Sequence, residues 1–79
     1  MYDDELKERF AKRLRERRRE LKYTQAELAE KLDLSKQAVW AWENRRREIG
    51  MCSLLRIALA LEVSTDWLLG ISDEKEITQ

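Results

Sequence analysis

The spacing of apolar residues along the chain predicts a domain built entirely from helices. The first helix, over about residues 4–21, is marked by apolar side chains at intervals of four, four and seven: Leu6, Phe10, Leu14 and Leu21. The fourth, over residues 51–61, shows the full i, i+3, i+4, i+7 pattern: Leu54, Ile57, Ala58 and Leu61. No stretch alternates with a period of two for long enough to form a sheet, so the pattern predicts an all-α fold.

Polar capping residues divide the rest of the chain into short helices. Thr24 followed by Glu27 has the form of a capping box, which predicts that a second helix begins at residue 25. Ser35 can cap a third helix, which ends near Asn44, a residue that tolerates a left-handed conformation. Gly50 precedes the fourth helix, and a further serine caps a short fifth helix over residues 65–69, followed by a glycine.

Residues 25–44 satisfy the steric demands of a helix-turn-helix. Ala29 falls where two such helices cross closely, and only a small side chain fits there. Asp33 falls at the turn, where φ is usually positive and Asp is one of the few alternatives to Gly. Val39 falls where the second helix of the motif buries a branched side chain. The alternative is an ordinary helical hairpin in a small bundle.

The charges are unevenly distributed although they cancel. The 79 residues contain 16 Lys+Arg and 16 Asp+Glu, for a net charge of zero. Residues 9–47 hold 13 of the basic residues and six acids, whereas acids dominate both ends. This distribution favours a surface that faces a polyanion, with a solvated helix surface as the alternative.

Several classes of protein are excluded by what the chain lacks. One Cys and no His rule out an internal disulfide and a Cys/His metal site, and we expect Cys52 to be a buried or half-buried packing residue. We find no Gly-rich phosphate loop and no nucleophile beside a base, so we expect neither enzymatic activity nor a cofactor. No apolar run of about 18 residues is present, which predicts no membrane span and a cytoplasmic protein.

The exposed face of the third helix holds the candidate base contacts: Ser35, Lys36, Gln37, Trp40 and Ala41. Lysine suits the O6 and N7 acceptors of guanine, and glutamine suits adenine N6 and N7. Ser35, at the N-cap, is better placed for a phosphate. Trp40 can cover thymine methyls or sugar carbons, or instead pack on arginine side chains. The alternative for the set is a solvated polar face.

Candidate phosphate contacts flank this helix on both sides. Gln25 opens the second helix, where its backbone N–H and amide can meet a phosphate, although it can also be a neutral exposed residue. Beyond the third helix comes a polar and basic loop that can follow the DNA backbone or simply confer solubility: Asn44, Arg45, Arg46 and Arg47.

The chain resembles the Cro and phage-repressor type of helix-turn-helix domain, also called XRE-like. The resemblance spans residues 10–70 and rests on Arg18 and on the segments TQAELAEKL, SKQAVWAWEN and LLRIALALEVSTDWLLG. It implies a compact five-helix bundle of the lambda-repressor type, whose third helix lies in the DNA major groove. It also implies a largely buried ion pair between Arg18 and Glu43, and a Gln25 side chain that braces the third helix.

Three positions depart from the pattern of that family. Asp33 stands where the family usually has Gly, and Asn44-Arg45 stands where it usually has Asn-Gly. Ile49 stands where a Pro is common. The first two departures introduce strain into turns, but none removes a DNA-facing group.

We therefore expect a DNA-binding domain over residues 1–70 and a frayed acidic tail over residues 71–79. The expected function is that of a transcriptional regulator that acts as a repressor. We expect it to bind a short palindromic operator as a homodimer and to be nucleoid-associated when bound. Trp67 is either a core residue or a dimer contact. The expected dimer surface is formed by the fifth helix and the tail, around Trp67 and Ile71. The alternative is an antitoxin or protein-interaction module on the same fold.

Overall fold

Five helices account for most of the chain. The computed structural model describes the backbone of residues 2–76 and the side chains of residues 4–76. In chain order the helices are α1 (Tyr2–Glu20), α2 (Gln25–Lys31), α3 (Lys36–Glu43), α4 (Met51–Leu61) and α5 (Thr65–Leu68). The described residues contain no strand. The predicted all-α fold of five helices is confirmed, with α1 beginning two residues earlier than expected.

Local hydrogen bonds set the beginnings of the short helices as predicted. Thr24 and Glu27 form a complete capping box, with Oγ1 of Thr24 accepting from the N–H of Glu27 at 3.0 Å and Oε1 of Glu27 accepting from the N–H of Thr24 at 2.8 Å. The hydroxyl of Ser35 accepts from the N–H of Ala38 at the start of α3. Each bond satisfies a backbone donor that would otherwise lack a partner at a helix N-terminus.

The turns after α2 and α3 share one geometry, and it corrects one prediction. Asp33 has the expected positive φ of 57°, but after α3 the left-handed residue is Arg45, at 60°, and not Asn44, at −104°. Both turns close by the 6→1 and 5→2 bonds of a Schellman motif; after α3 these are Arg46 N–H to Ala41 O and Arg45 N–H to Trp42 O. In this motif the left-handed residue is the one that follows the C-cap, and after α3 that residue is Arg45.

All five helices contribute to the hydrophobic core. Its centre is formed by fully buried side chains, with the largest being Leu14, Leu28, Ile57, Leu61, Leu68, Val39 and Val63. The expected core positions Ala29 and Trp42 are buried as well, at 2% and 4% exposure. Cys52 lies outside the core: it is exposed, so its expected packing role is wrong.

Residues 71–76 pack back onto α1, which corrects the expectation of a frayed tail for this segment. Arg13 donates from Nη1 to the carbonyl of Ser72 at 2.7 Å, and the N–H of Ser64 donates to the carbonyl of Lys75 at 2.7 Å. Lys75 in turn donates from Nζ to Glu20 at 3.0 Å. Hydrogen bonds to two helices therefore fix the segment. The remaining tail residues, 77–79, lie outside the described residues.

Trp67 belongs to the core and is unavailable to a partner, which corrects its expected place in a dimer surface. Its side chain is 4% exposed. The guanidinium carbon of Arg13 lies 4.8 Å and Nζ of Lys75 lies 5.3 Å from the ring centroid, so two cations cover the ring. Ile71, in contrast, is 67% exposed. None of the helices within residues 2–76 combines the length and apolar character needed to cross a bilayer.

Candidate nucleic-acid interface

α3 is buried along most of its circumference and presents one narrow polar side. Five of its eight residues are buried: Ala38, Val39, Ala41, Trp42 and Glu43. At about 100° per residue these positions span roughly 200° of the helix, because α3 packs against both α1 and α2. The remaining arc carries Lys36, Gln37 and Trp40, all exposed, with Trp40 at 47%. This arc carries three of the five side chains that the sequence predicts for the exposed face.

Ala41 is the exception among the candidate base contacts. It was expected on the exposed face, but it is buried at 9% exposure. Ala41 lies only about 100° from Trp42 around the helix, at the edge of the buried side. The placement of Ala41 on the exposed arc is therefore wrong. Ser35, at the N-cap, is exposed.

The loop after α3 is basic and exposed. Arg45, Arg46 and Arg47 are all exposed, and within residues 4–76 none of the three takes part in an ion pair. Asn44 is half-buried, and its Nδ2 donates to the carbonyl of Trp40 at 2.9 Å, within the same helix end. The three arginines therefore keep their charges available, whereas the amide of Asn44 serves the end of α3.

An ion pair between Arg18 and Glu43 connects α1 to the end of α3. Nε of Arg18 lies 2.6 Å from Oε2 of Glu43, and Nη2 lies 2.9 Å from Oε1, which is the two-point geometry of a strong charge-assisted pair. Nη1 of Arg18 also donates to the carbonyl of Tyr23 at 2.8 Å. The side chain of Glu43 is 0% exposed and that of Arg18 is 9% exposed. The pair therefore joins α1 to the C-terminal end of α3 inside the bundle.

Two more side chains complete the contacts of Glu43. Nε2 of Gln25 donates to Oε1 of Glu43 at 3.1 Å, so this amide braces α3. Arg15 lies 3.5 Å from the same oxygen through Nε and donates from Nη2 to the Glu43 carbonyl at 3.2 Å. Sequence reasoning missed Arg15, although its spacing of three from Arg18 puts both on one side of α1.

The carboxyl group of Glu43 is held in its charged form. Burial raises its pKa, but hydrogen bonds from Arg18, Gln25 and Arg15 and the Arg18 charge together hold the pKa below its ordinary value. The hydrogen bond to Glu43 raises the pKa of Arg18, although burial opposes it. Both members of the pair are therefore ionised at neutral pH.

The interface has no feature of a metal centre. Among residues 4–76 there is no group of three or more Cys, Asp or Glu side chains placed to hold an ion. What the structure brings together is an exposed polar arc on α3, three exposed arginines and a polar network that fixes the helix in place. This arrangement defines a helix-turn-helix domain of the DNA-binding class.

Comparison with known proteins agrees with this geometry. The helix-turn-helix family profile matches residues 14–68, and the chain belongs to this family, of the Cro and phage-repressor type. It is 41% identical over 61 residues to the HTH-type transcriptional regulator ImmR of Bacillus subtilis (strain 168). It is 39% identical over 67 residues to the HTH-type transcriptional regulator YqaE of the same organism.

A solved structure shows the same fold. The hypothetical transcription factor NHTF from Neisseria superposes with a TM-score of 0.80 at 30% identity, covering 85% of this chain and 75% of that one. The matches cover 77% of this chain for ImmR and 84% for YqaE, but only 48% and 58% of those relatives. The chain thus spans about half the length of the curated relatives it matches.

Proposed function

We propose that this chain is the DNA-binding domain of a transcriptional regulator and that it inserts α3 into the major groove. The observation that carries the proposal is the exposed arc of α3, with Lys36, Gln37 and Trp40 beside three exposed arginines that form no ion pair within residues 4–76, on a helix that is otherwise buried. The names of the relatives, which are transcriptional regulators, support it. A cytoplasmic protein, nucleoid-associated when bound, would follow.

Each exposed side chain has a role in this proposal that follows from its chemistry. Lys36 can pair with guanine and Gln37 with adenine, while the Trp40 ring can cover a thymine methyl. Ser35 and the backbone N–H of Gln25 face phosphates. The arginines, Arg45 to Arg47, follow the DNA backbone and position the helix without reading sequence.

The finer part of the proposal is a repressor that binds a short palindrome as a homodimer. One recognition helix reads only a few base pairs, and a two-fold arrangement doubles the information. Because Trp67 is covered, we place the dimer contact on the outer side of α4 instead of on α5 and the tail. Met51, Leu55 and Leu59 follow one another at intervals of four and are 84%, 54% and 58% exposed.

Selection of bound DNA from a random pool, followed by sequencing, tests the proposal. A palindrome should emerge with half-sites about one helical turn apart. Binding to it should depend strongly on salt: two copies would neutralise roughly 6–8 phosphates, giving a slope of log K against log salt of about −0.9 per phosphate. Arg46→Gln should reduce the slope by about two, one phosphate per subunit. A flat salt response or no enriched sequence would refute DNA binding.

A second candidate function, an antitoxin or protein-interaction module with DNA contact secondary, is favoured by the same apolar surface on α4. Exposed apolar patches mark sites of protein contact. Sedimentation of the free chain and of its complex with the selected DNA separates the two. A complex with two chains per palindrome, which Leu55→Glu reduces to one chain, would support the homodimer. One chain per palindrome with unchanged affinity in Leu55→Glu would exclude α4 as the dimer contact and leave its apolar surface for another protein.

A further inference from the structure

A cavity of about 290 Å³ lies between the first turns of α1, the inner side of α3 and the segment that leads into α4. Its apolar lining is drawn from four parts of the chain: Leu6, Phe10, Ile49, Leu54 and Leu69. The volume is at the lower end of the range of roughly 300–1,000 Å³ found for small-molecule sites. It is therefore suited to a small ligand with an apolar body.

The charged groups at the cavity favour an anionic ligand. The ring of Trp42 forms part of the wall. Lys7 and Arg47 also line the cavity, and within residues 4–76 neither takes part in an ion pair. Glu48 is the single acid there, so the net charge of the lining is positive.

We propose that this cavity binds a small amphipathic carboxylate of the medium-chain fatty acid type. The hydrocarbon chain packs among the leucines and the Trp42 ring, and the carboxylate pairs with Lys7 and Arg47. A purely apolar ligand would leave the two cations without a partner. A small inorganic anion would leave the apolar lining empty. Only a molecule with both parts matches the whole lining.

The site touches the elements proposed to bind DNA, so occupancy should alter DNA affinity. Trp42 belongs to α3, and Arg47 belongs to the basic loop that follows it. A carboxylate paired with Arg47 competes with a DNA phosphate for the same charge. This regulatory part rests on the proposed function, whereas binding of the ligand to the free protein does not.

Titration of the free protein with sodium octanoate tests the site, followed by calorimetry and by ¹H–¹⁵N NMR of the indole N–H groups. Trp40→Phe identifies the exposed indole signal, and Trp42 should then show the largest shift of those remaining. Affinity should rise about fourfold for each methylene from butanoate to octanoate. Octan-1-ol, which lacks the charge, should bind at least tenfold more weakly than octanoate.

Lys7→Glu should weaken octanoate binding by tenfold or more, because it places a negative charge beside the carboxylate. Lys12→Glu is the matched control: it makes the same change of charge on α1 at an exposed position outside the cavity lining and should leave octanoate affinity within twofold. No saturable binding, or equal effects of the two variants, would overturn the ligand site. So would a dimer that octanoate or Lys7→Glu dissociates, since the cavity would then be an interface between copies.

The selected DNA provides the second measurement. Saturating octanoate should weaken DNA binding several-fold and lower the salt slope by about one per occupied subunit. Unchanged DNA affinity with octanoate bound would overturn the regulatory part and leave the ligand site standing. If the protein does not bind DNA at all, this will be seen in the absence of octanoate, so it can be distinguished from an effect of the ligand.

Discussion

The outward sides of α3 and α4 carry different chemistry, although the two helices follow one another in the chain. α3 exposes Lys36 and Gln37 next to a loop of three arginines, whereas α4 exposes Met51, Leu55 and Leu59. The single charged side chain of α4, Arg56, turns to the carbonyl of Leu32 at the end of α2. A polar side is well solvated in the free protein, while an apolar side is not. The two surfaces are therefore suited to partners of different kinds.

The difference also extends to what lies behind each surface. Behind the exposed arc of α3 stands a buried polar network centred on Glu43, which fixes direction as well as distance. α4 is held by the buried apolar side chains Ile57, Ala58 and Leu61 and by single hydrogen bonds, such as the one from Nε of Arg17 to the carbonyl of Leu61 at 2.9 Å, with no comparable buried network among the described residues. Reading bases demands a helix held at one angle. The lesson is that the polar network lies where orientation matters.

Trp42→Ala should produce the largest loss, because it removes a large buried ring from the core behind the α3 surface. Removing a core Trp costs about 3–5 kcal/mol, enough to unfold a domain of this size. Trp40→Ala is the control, since the neighbouring ring is 47% exposed: its melting temperature should stay nearly unchanged while specific DNA binding weakens by about 1–3 kcal/mol. Thermal melts and binding isotherms measure both. Reversed behaviour of the two variants would mean that the DNA-facing side of α3 is misassigned.

Breaking the ion pair behind α3 should have the next largest effect. Arg18→Ala or Glu43→Ala leaves a buried charge without its partner and should each cost about 3 kcal/mol of unfolding free energy. The double variant should lose much less than the sum of the two, as expected for directly coupled groups. Arg15→Ala, at a more exposed site, should cost well under half as much. Additive losses in denaturant titrations would contradict a direct pair.

Acidification should weaken the same network. The pKa of Glu43 is lower in the folded protein than the roughly 4.3 of an unfolded glutamate. The contribution of the charged Glu43 to the free energy of unfolding is therefore complete above the unfolded pKa and is lost as the pH falls through the folded pKa. Glu43→Gln should flatten the fall in unfolding free energy below about pH 5. Glu20→Gln, at a surface pair with Lys75, should flatten it less because solvent screens that pair. Denaturant melts at a series of pH values provide the test, and parallel curves for Glu43→Gln and the parent would count against it.

The smallest effect is expected at the turn between α2 and α3. Asp33 has a φ of 57°, a conformation that glycine adopts without the strain of a Cβ atom. Asp33→Gly should therefore raise the unfolding free energy by about 0.5–1 kcal/mol. Glu30→Gly, inside α2, is the matched control and should lower it by about 1 kcal/mol. If both variants are destabilised alike, the turn is not strained.

Features encoded within a few residues were predictable from the sequence. The capping box at Thr24, the N-cap at Ser35 and the positive φ of Asp33 each depend on neighbours within four positions. The opposite placement of Trp40 and Trp42 follows from 100° per residue once Val39 is assigned to the core. Local geometry alone was enough in these cases.

Features that depend on distant parts of the chain were missed. Ala41 is buried at the edge of the packed side of α3, and no local period records how far the neighbouring segments extend around a helix. Arg15 reaches Glu43, 28 positions away, and Arg13 reaches Ser72, 59 positions away. Such contacts follow from the packing of helices, and a run of basic residues does not indicate which of its members turn inward. The Arg18–Glu43 pair was expected only through resemblance to a family.

The two cations on Trp67 have an optical consequence. The chain holds three tryptophans, one exposed, one buried with an unpaired N–H and one between Arg13 and Lys75. Detachment of residues 72–75 removes one cation and admits water to the ring of Trp67, so its emission should shift to the red before the rest of the domain melts. The protein thus carries its own fluorescent indicator of the attachment of its C-terminal segment, readable without any added dye.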